Sequence, residues 1–450
     1  MTAVERGPAA PVDAALLPAL RRRTTGVLVA SQILGGLGVA TGIALSAVLA
    51  RQVSGTEALS GLAPTATVAG TAVLSMPMAA LMTARGRRPG LVLAYLVGAL
   101  GACVVVVAAR AGNYPLLLCG MAAFGAASSA NLQARFAAAD LAEPRRRARA
   151  ISNVVWATTI GAVLGPNIAA PAGRSVAGLG IPPAAGPFLW AAGIFVMAAV
   201  LVAVLLRPDP LLTARALAPR EERSPQARSL RAGLAAVVAS PRAQLALVTV
   251  AVSHTAMVSV MSMTPLDLTH HGASIDLIGL VISGHIAGMY AFAPLMGRLA
   301  DRVGRLSVAG LAAGLLAVAM FLAGTAGASH GQTAAGLFVL GLGWSAGLVS
   351  GSALLTDSVP QSARAAAQGI SDLTMNTSAG FGGAIAGLIV AQASYAWLNA
   401  AAASLLVPLA VLVLFARTGD RKGKGKEKAK GNEGRSRTAA EDGPPGVRPS

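Results

Sequence analysis

The chain has 450 residues, 54% of them hydrophobic and 12% charged, with a mean hydropathy of +0.65. That is too little polar surface to clothe a soluble globule, and at 4% there are too few aromatics for the girdles of an outer-membrane barrel. The net charge of +18 raises nucleic acid as a partner, but the placement of the charges along the chain excludes it.

In chain order, a basic N-terminal tail (1–24) precedes the first apolar run. That run is too long for the core of a cleaved leader, so it is expected to stay as a start-transfer segment. Helical spans are predicted at 25–50, 59–83, 90–109, 114–139, 150–172 and 187–206. A linker follows (207–241), rich in Arg and Pro, with a short surface helix expected around Leu230–Ala239. Six more spans are predicted at 243–268, 276–297, 305–327, 333–356, 367–391 and 396–416. Twelve spans of about 20 residues use roughly 240 positions, and the apolar runs match that need. The last stretch (418–450) is polar, basic and Gly-rich, and is expected to be disordered. Its Lys run reads either as solvated or as touching anionic headgroups. Cys103 and Cys119 fall in apolar runs and read as small buried hydrophobes.

Of the 36 Lys and Arg, only Arg51, Arg110 and Arg174 fall in the odd-numbered connections between spans, and Arg135 lies inside a span. The rest cluster in the tails, the linker and the alternate loops. This is the positive-inside pattern, so both termini are expected in the cytoplasm and the protein in the inner (plasma) membrane.

The two sets of spans repeat. A shift of 218 residues lays Leu81 and Gly86-Arg87 on Leu299 and Gly304-Arg305, and a shift of 219 lays Ile151-Ser152-Asn153 on Ile370-Ser371-Asp372. The fold class is therefore all-α integral membrane, with two parallel six-helix repeats (25–206 and 242–417). Two similar bundles that rock about a midplane site are one route to alternating access. No Walker-type phosphate loop is present to use ATP.

After the eighth span the sequence reads Gly297-Arg298-Leu299-Ala300-Asp301-Arg302-Val303-Gly304-Arg305. This resembles the signature of the major facilitator superfamily, Gly-x-Leu-Ala-Asp-Arg-x-Gly-Arg. The resemblance implies a gating turn built from Gly297, Asp301, Arg302, Gly304 and Arg305. In the first half Ala79 and Thr83 replace the Gly and the Asp, so the second copy is expected to matter more. In the fifth span, Gly161, Gly165 and Pro166 resemble the family's antiporter motif, with Ala169-Ala170 for its closing Gly pair. The motif implies export coupled to protons. Gly380, Gly382, Gly383 and Gly387 suggest a similar smooth face at the matching place in the eleventh span. The resemblance covers almost the whole chain for fold but only the fifth span for direction; within the family the sequence is most similar to the bacterial 12-helix drug:proton antiporter type.

An ionisable group in the bilayer core costs at least about 2.5–3.5 kcal/mol, so each invites an explanation. Asp372, His254 and His285 are the proton-coupling candidates. For Asp372 the structural alternative is a partnership with Arg364; for His254 it is a bond to a Ser or a backbone carbonyl. Substrate-cavity candidates are Gln32, Asn131, Arg135, Met257, Met261 and Asn376. Arg135 reads either as a cavity cation or as a snorkelling Arg paired with Asp140. Asp140 and Asp357 are expected to join a charge network with Arg149, Arg298 and Arg364. Asp267, His270 and His271 have metal-compatible spacing but no further fixed ligand, so no metal is expected.

The leading expectation is a transporter exporting a small amphipathic molecule in exchange for protons. A nutrient symporter is the alternative, and a non-transporting sensor is the third. No nucleophile lies beside a base, so the chain is not expected to be an enzyme. No cofactor is expected, and the partners are substrate, protons and membrane lipid, with the chain acting as a monomer.

Overall fold

The computed structural model describes residues 16–43, 45–56, 59, 61–217 and 229–416. The expected disordered tail (418–450) and most of the N-terminal tail lie outside the described residues. Among those described, every regular element is helical.

The first half holds α1 (Leu17–Ile43) and its continuation α2 (Ser46–Ser54), α3 (Leu62–Arg85), α4 (Arg87–Ala111), α5 (Tyr114–Asp140), α6 (Arg147–Ser175) and α7 (Gly186–Leu205). The linker supplies α8 (Pro210–Leu217) and α9 (Leu230–Ala239). The second half holds α10 (Pro241–His270), α11 (Ile275–Tyr290), α12 (Ala293–Val303), α13 (Arg305–Gly324), α14 (His330–Ser358), α15 (Arg364–Gln392) and α16 (Tyr395–Ser404), whose span runs on to Ala416. Ser side chains cap α10, α11, α14 and α16, satisfying N–H groups that the helix itself leaves open.

Eleven helices among the described residues are long and apolar enough to cross a membrane. The twelfth span is α6, bent by 52° between Gly165 and Asn167. The residue between them, Pro166, has no N–H for the helical ladder. Large apolar side chains such as Val73, Leu100, Phe321, Trp397 and Phe415 lie exposed on the outside. In water that surface would be a liability; against lipid it is the expected skin.

Each half has its own core. In the first, Phe124 packs edge-on against Phe188 and tilted against Phe195, at centroid distances of 5.4 and 5.3 Å. In the second, Trp344, Met257, Leu316 and Leu340 pack together. The loops between α3 and α4, α5 and α6, α12 and α13, and α14 and α15 gather at one end of the bundle. Their arginines make it the Arg-rich end.

Three sequence expectations are corrected here. The eighth span is broken into α11 and α12, and α12 runs to Val303, so Gly297, Asp301 and Arg302 sit on helix; the turn itself is Gly304, at φ +96°. Gly86 adopts nearly the same conformation, φ +95°, at the equivalent place in the first half. An L side chain rarely takes that backbone, which explains why both turns keep Gly. Cys103 and Cys119 are exposed on the outer face and are not buried. Of the four Gly expected to form a smooth face on α15 (Gly380, Gly382, Gly383 and Gly387), only Gly382 makes a close approach, where an added Cβ would lie 2.5 Å from Thr255 Cγ2; Gly380 and Gly387 have open space.

Candidate functional site

The two halves meet at the Arg-rich side of the centre in a chain of buried polar groups. Asp372, on α15, is fully buried. Arg135 Nη2, on α5, donates to its Oδ1 at 2.6 Å, and Gln133 Nε2 donates to its Oδ2 at 2.8 Å. Gln133 Oε1 in turn accepts from Arg87 Nη1 at 2.9 Å. Arg87, from the first turn of α4, also grips Asp140 through Nε at 2.7 Å and Nη2 at 3.3 Å, and reaches Gln368 on α15. Gln368 Nε2 donates to Thr356 Oγ1 at 3.2 Å. Two Arg and two Asp therefore balance in charge with almost no exposure. Each carboxylate has at least two donors, which is what a buried charge requires.

The helical register builds this chain. Gln133 and Arg135 lie near the Arg-rich end of α5, with Asp140 at its last residue. Arg135 is steadied by the Phe136 ring, 4.6 Å from its guanidinium carbon. Asn376 Nδ2 donates to the Asp372 backbone carbonyl at 2.8 Å, one turn away on the same helix.

The partners differ from those expected. Arg135 pairs with Asp372 and not with Asp140. Asp372 takes Arg135 where Arg364 had been considered. Among the described residues, Asp140 is held by Arg87, and Asp357 by Arg147 and Arg305.

The other candidates are dispersed. His254 Nδ1 accepts from Trp344 Nε1 at 2.8 Å, which replaces the Ser or carbonyl partner considered from sequence. Trp344 lies edge-on to Tyr290, with centroids 5.4 Å apart. His285 is fully buried between α11 and α14, with Nδ1 2.8 Å from Leu337 O. Met257 and Met261 join the second core. Gln32 Nε2 donates to Thr158 Oγ1 at 2.8 Å, and Asn131 Oδ1 accepts from Tyr95 at 2.9 Å, both inside the first half. Gly161 and Gly165 lie flat on α1: a Cβ on Gly161 would sit 2.5 Å from Gly36 C and Leu37 N, and one on Gly165 2.9 Å from Thr41 N. His271 Nδ1 lies 3.6 Å from Asp267, and no cluster of three metal ligands occurs among the described residues.

Sequence reading passed over Arg87, Gln368 and Tyr290. A signal for Arg87 existed: Gly86-Arg87 repeats Gly304-Arg305.

Two residues of the Gly297–Arg305 motif, Asp301 and Arg305, bridge the two halves at the Arg-rich end. Asp301 accepts from the N–H groups of Ala148 and Arg149 at the start of α6, at 3.2 and 3.0 Å. It also lies 3.2 Å from Arg305. Arg305 bonds the Pro144 carbonyl and lies 3.1 Å from Asp357. The described hydrogen bonds between the halves all lie toward this end.

Two similar helical bundles, tied by buried charges across their midline and sealed at one end, form the architecture of a membrane transporter. The model of the Major Facilitator Superfamily matches residues 27–269 and 245–443, and the chain belongs to that family. It is 35% identical over 398 residues to the uncharacterised MFS-type transporter YddS of Bacillus subtilis, covering 88% of this chain and 91% of that one. It is 28% identical over 394 residues to the riboflavin transporter RfnT of Brucella anthropi, covering 87% and 94%. Among solved structures, the transporter FucP in its outward conformation shares the fold with a TM-score of 0.70 at 16% identity, covering 88% of this chain and 98% of that one. The protein is thus a multi-pass secondary transporter of small molecules, and not an enzyme.

Proposed function

We propose that this transporter exports a small amphipathic molecule in exchange for protons, with Asp372 as the proton carrier. The observation that carries the reading is the Asp372 carboxylate, held by Arg135 and Gln133 across the two halves with no exposure. An ionised carboxylate only accepts hydrogen bonds. A proton arriving at Asp372 cancels its charge, weakens the Arg135 bond and loosens the tie between the halves. The Arg-rich end then opens, and the proton leaves there. Substrate loads as Asp372 empties, and its binding restores the outward state. Movement of one charge through 100 mV is worth about 2.3 kcal/mol, enough to drive useful accumulation.

In this reading the Arg-rich end faces the cytoplasm, as the positive-inside bias requires, and both termini lie there. The moving bodies are 25–206 and 242–417, joined by the linker 207–241, in a monomer of the plasma membrane. The close seam of Gly161 and Gly165 on α1 supports export, because it matches the motif associated with that direction.

A second reading, import of a nutrient with protons, is favoured by one relative: RfnT is a riboflavin transporter. The test is proteoliposomes with an imposed pH gradient, in which internal pH is followed while cationic and neutral amphipathic compounds and riboflavin are added. Export by antiport predicts that a compound collapses the gradient with the wild type and not with Asp372→Asn. Movement of solute and protons in the same direction sinks antiport in favour of the second reading. Equal proton flux with Asp372→Asn sinks the role of Asp372.

A further inference from the structure

The Arg-rich end carries an opening that the transport cycle does not use. It is a cleft of about 570 Å³ between the start of α1, the end of α5 and the start of α6. Small-molecule sites span about 300–1,000 Å³. Arg21, Arg22, Arg146 and Arg149 line it, and Glu143 is the one carboxylate among its described lining residues. That carboxylate is already engaged: Arg21 Nη1 donates to it at 2.6 Å, and Arg146 Nε lies 3.7 Å away. The cleft keeps a surplus of positive charge.

Arg149 Nε is buried without a hydrogen-bond partner. Its backbone N–H is taken by Asp301, whose carboxylate also lies within electrostatic reach of the guanidinium, and Nε is left open for a further acceptor. Thr25 and Asn153 add neutral hydrogen-bonding groups, and Leu141 adds an apolar wall. Surplus guanidinium in a cleft selects a compact oxyanion, and the planar fork of Arg matches phosphate with two parallel bonds. The cleft also sits where three spans end, which is the depth of lipid headgroups.

We propose that this cleft is a phosphate site, taking the phosphate of an anionic phospholipid headgroup or of a free phosphate. A phosphate there bridges the starts of α1 and α6, beside the helix end that Asp301 caps.

The test titrates the full-length protein in detergent with inorganic phosphate, and with mixed micelles carrying phosphatidylglycerol or phosphatidylcholine. Phosphatidylglycerol is expected to bind about tenfold more tightly than phosphatidylcholine. The double variant Arg22→Gln/Arg149→Gln is expected to lose that preference, and Glu143→Gln to strengthen it. Competition by inorganic phosphate identifies a free-phosphate site; binding confined to the micelles identifies the headgroup. Equal affinity for the two lipids with no phosphate binding overturns the proposal, as does a preference that survives in the double variant. If the double variant does not fold, Glu143→Gln decides: tighter binding upholds the site, and unchanged or weaker binding overturns it.

Discussion

The two halves solve the same local problem with different chemistry. Both turn at a Gly of positive φ, Gly86 and Gly304, and both follow it with an Arg that reaches an Asp, Arg87 to Asp140 and Arg305 to Asp357. In the first half that pair has no exposure; in the second, 14% of the Arg and 28% of the Asp side chain is accessible. The second half adds Asp301 as a carboxylate cap on α6. The first half has Thr83 in that place, and Arg215 of the linker reaches the Thr83 carbonyl at 2.8 Å and the Ser362 carbonyl at 3.4 Å. One half thus closes by an acid on a helix N-terminus, and the other by a buried cation on backbone carbonyls. Repeats that begin alike can drift apart as long as each charge stays satisfied.

The largest expected difference lies in the paired Arg. Arg87→Ala strands Asp140 and should cost about 3–5 kcal/mol, the range for breaking a buried ion pair. Arg305→Ala acts on a partly accessible pair and should cost less, about 1–2 kcal/mol. Thermal unfolding of the two variants in the same detergent measures the gap. Equal losses would mean that the two turns are equivalent despite their burial.

A smaller contrast tests the two Gly-rich helices. Gly161→Ala drives a methyl into the α1 backbone, and overpacking of this kind costs about 1–3 kcal/mol. Gly380→Ala meets nothing within 4 Å and should be neutral or stabilising by about 0.5–1 kcal/mol, since Ala fits a helix better than Gly. If Gly380→Ala also destabilises, the face of α15 packs more closely than its open surroundings indicate.

The spans were legible in the sequence because the bilayer demands long apolar runs whatever the tertiary fold. The repeat was legible through Gly86-Arg87 and Gly304-Arg305. Asp372 also stood out, because a carboxylate in an apolar run has few harmless explanations. Its partner did not: Arg135 lies 237 positions away, and nothing local in either helix couples them. Asp140 misled for the opposite reason. It sits close to Arg135 in sequence, yet its carboxylate is held by Arg87 from a different helix, 53 residues away. His254 and His285 looked equally functional from hydropathy alone. Their single partners, Trp344 and the Leu337 carbonyl, emerge only once α14 packs beside both.

The finest contrast is the cap itself. Asp301→Asn keeps the size of the side chain but removes the charge that faces the start of α6. A neutral amide oxygen still accepts one of the two N–H bonds, so the loss should be about 1 kcal/mol, the scale of a helix cap and its dipole term together. Stability is a poor readout for so small a change. A better one is the Arg-rich seal, read by alkylation of a Cys introduced at Ser152, whose hydroxyl lies where a Cβ on Gly297 would clash. Alkylation should rise about fivefold in Asp301→Asn, because 1 kcal/mol shifts a two-state equilibrium by roughly that factor. Thr83→Ala should leave the same Cys unchanged, since Thr83 bonds the Ala79 carbonyl of its own helix and caps nothing across the gap. Faster alkylation in Thr83→Ala would mean that the first half, despite its missing acid, seals the same end by the same means.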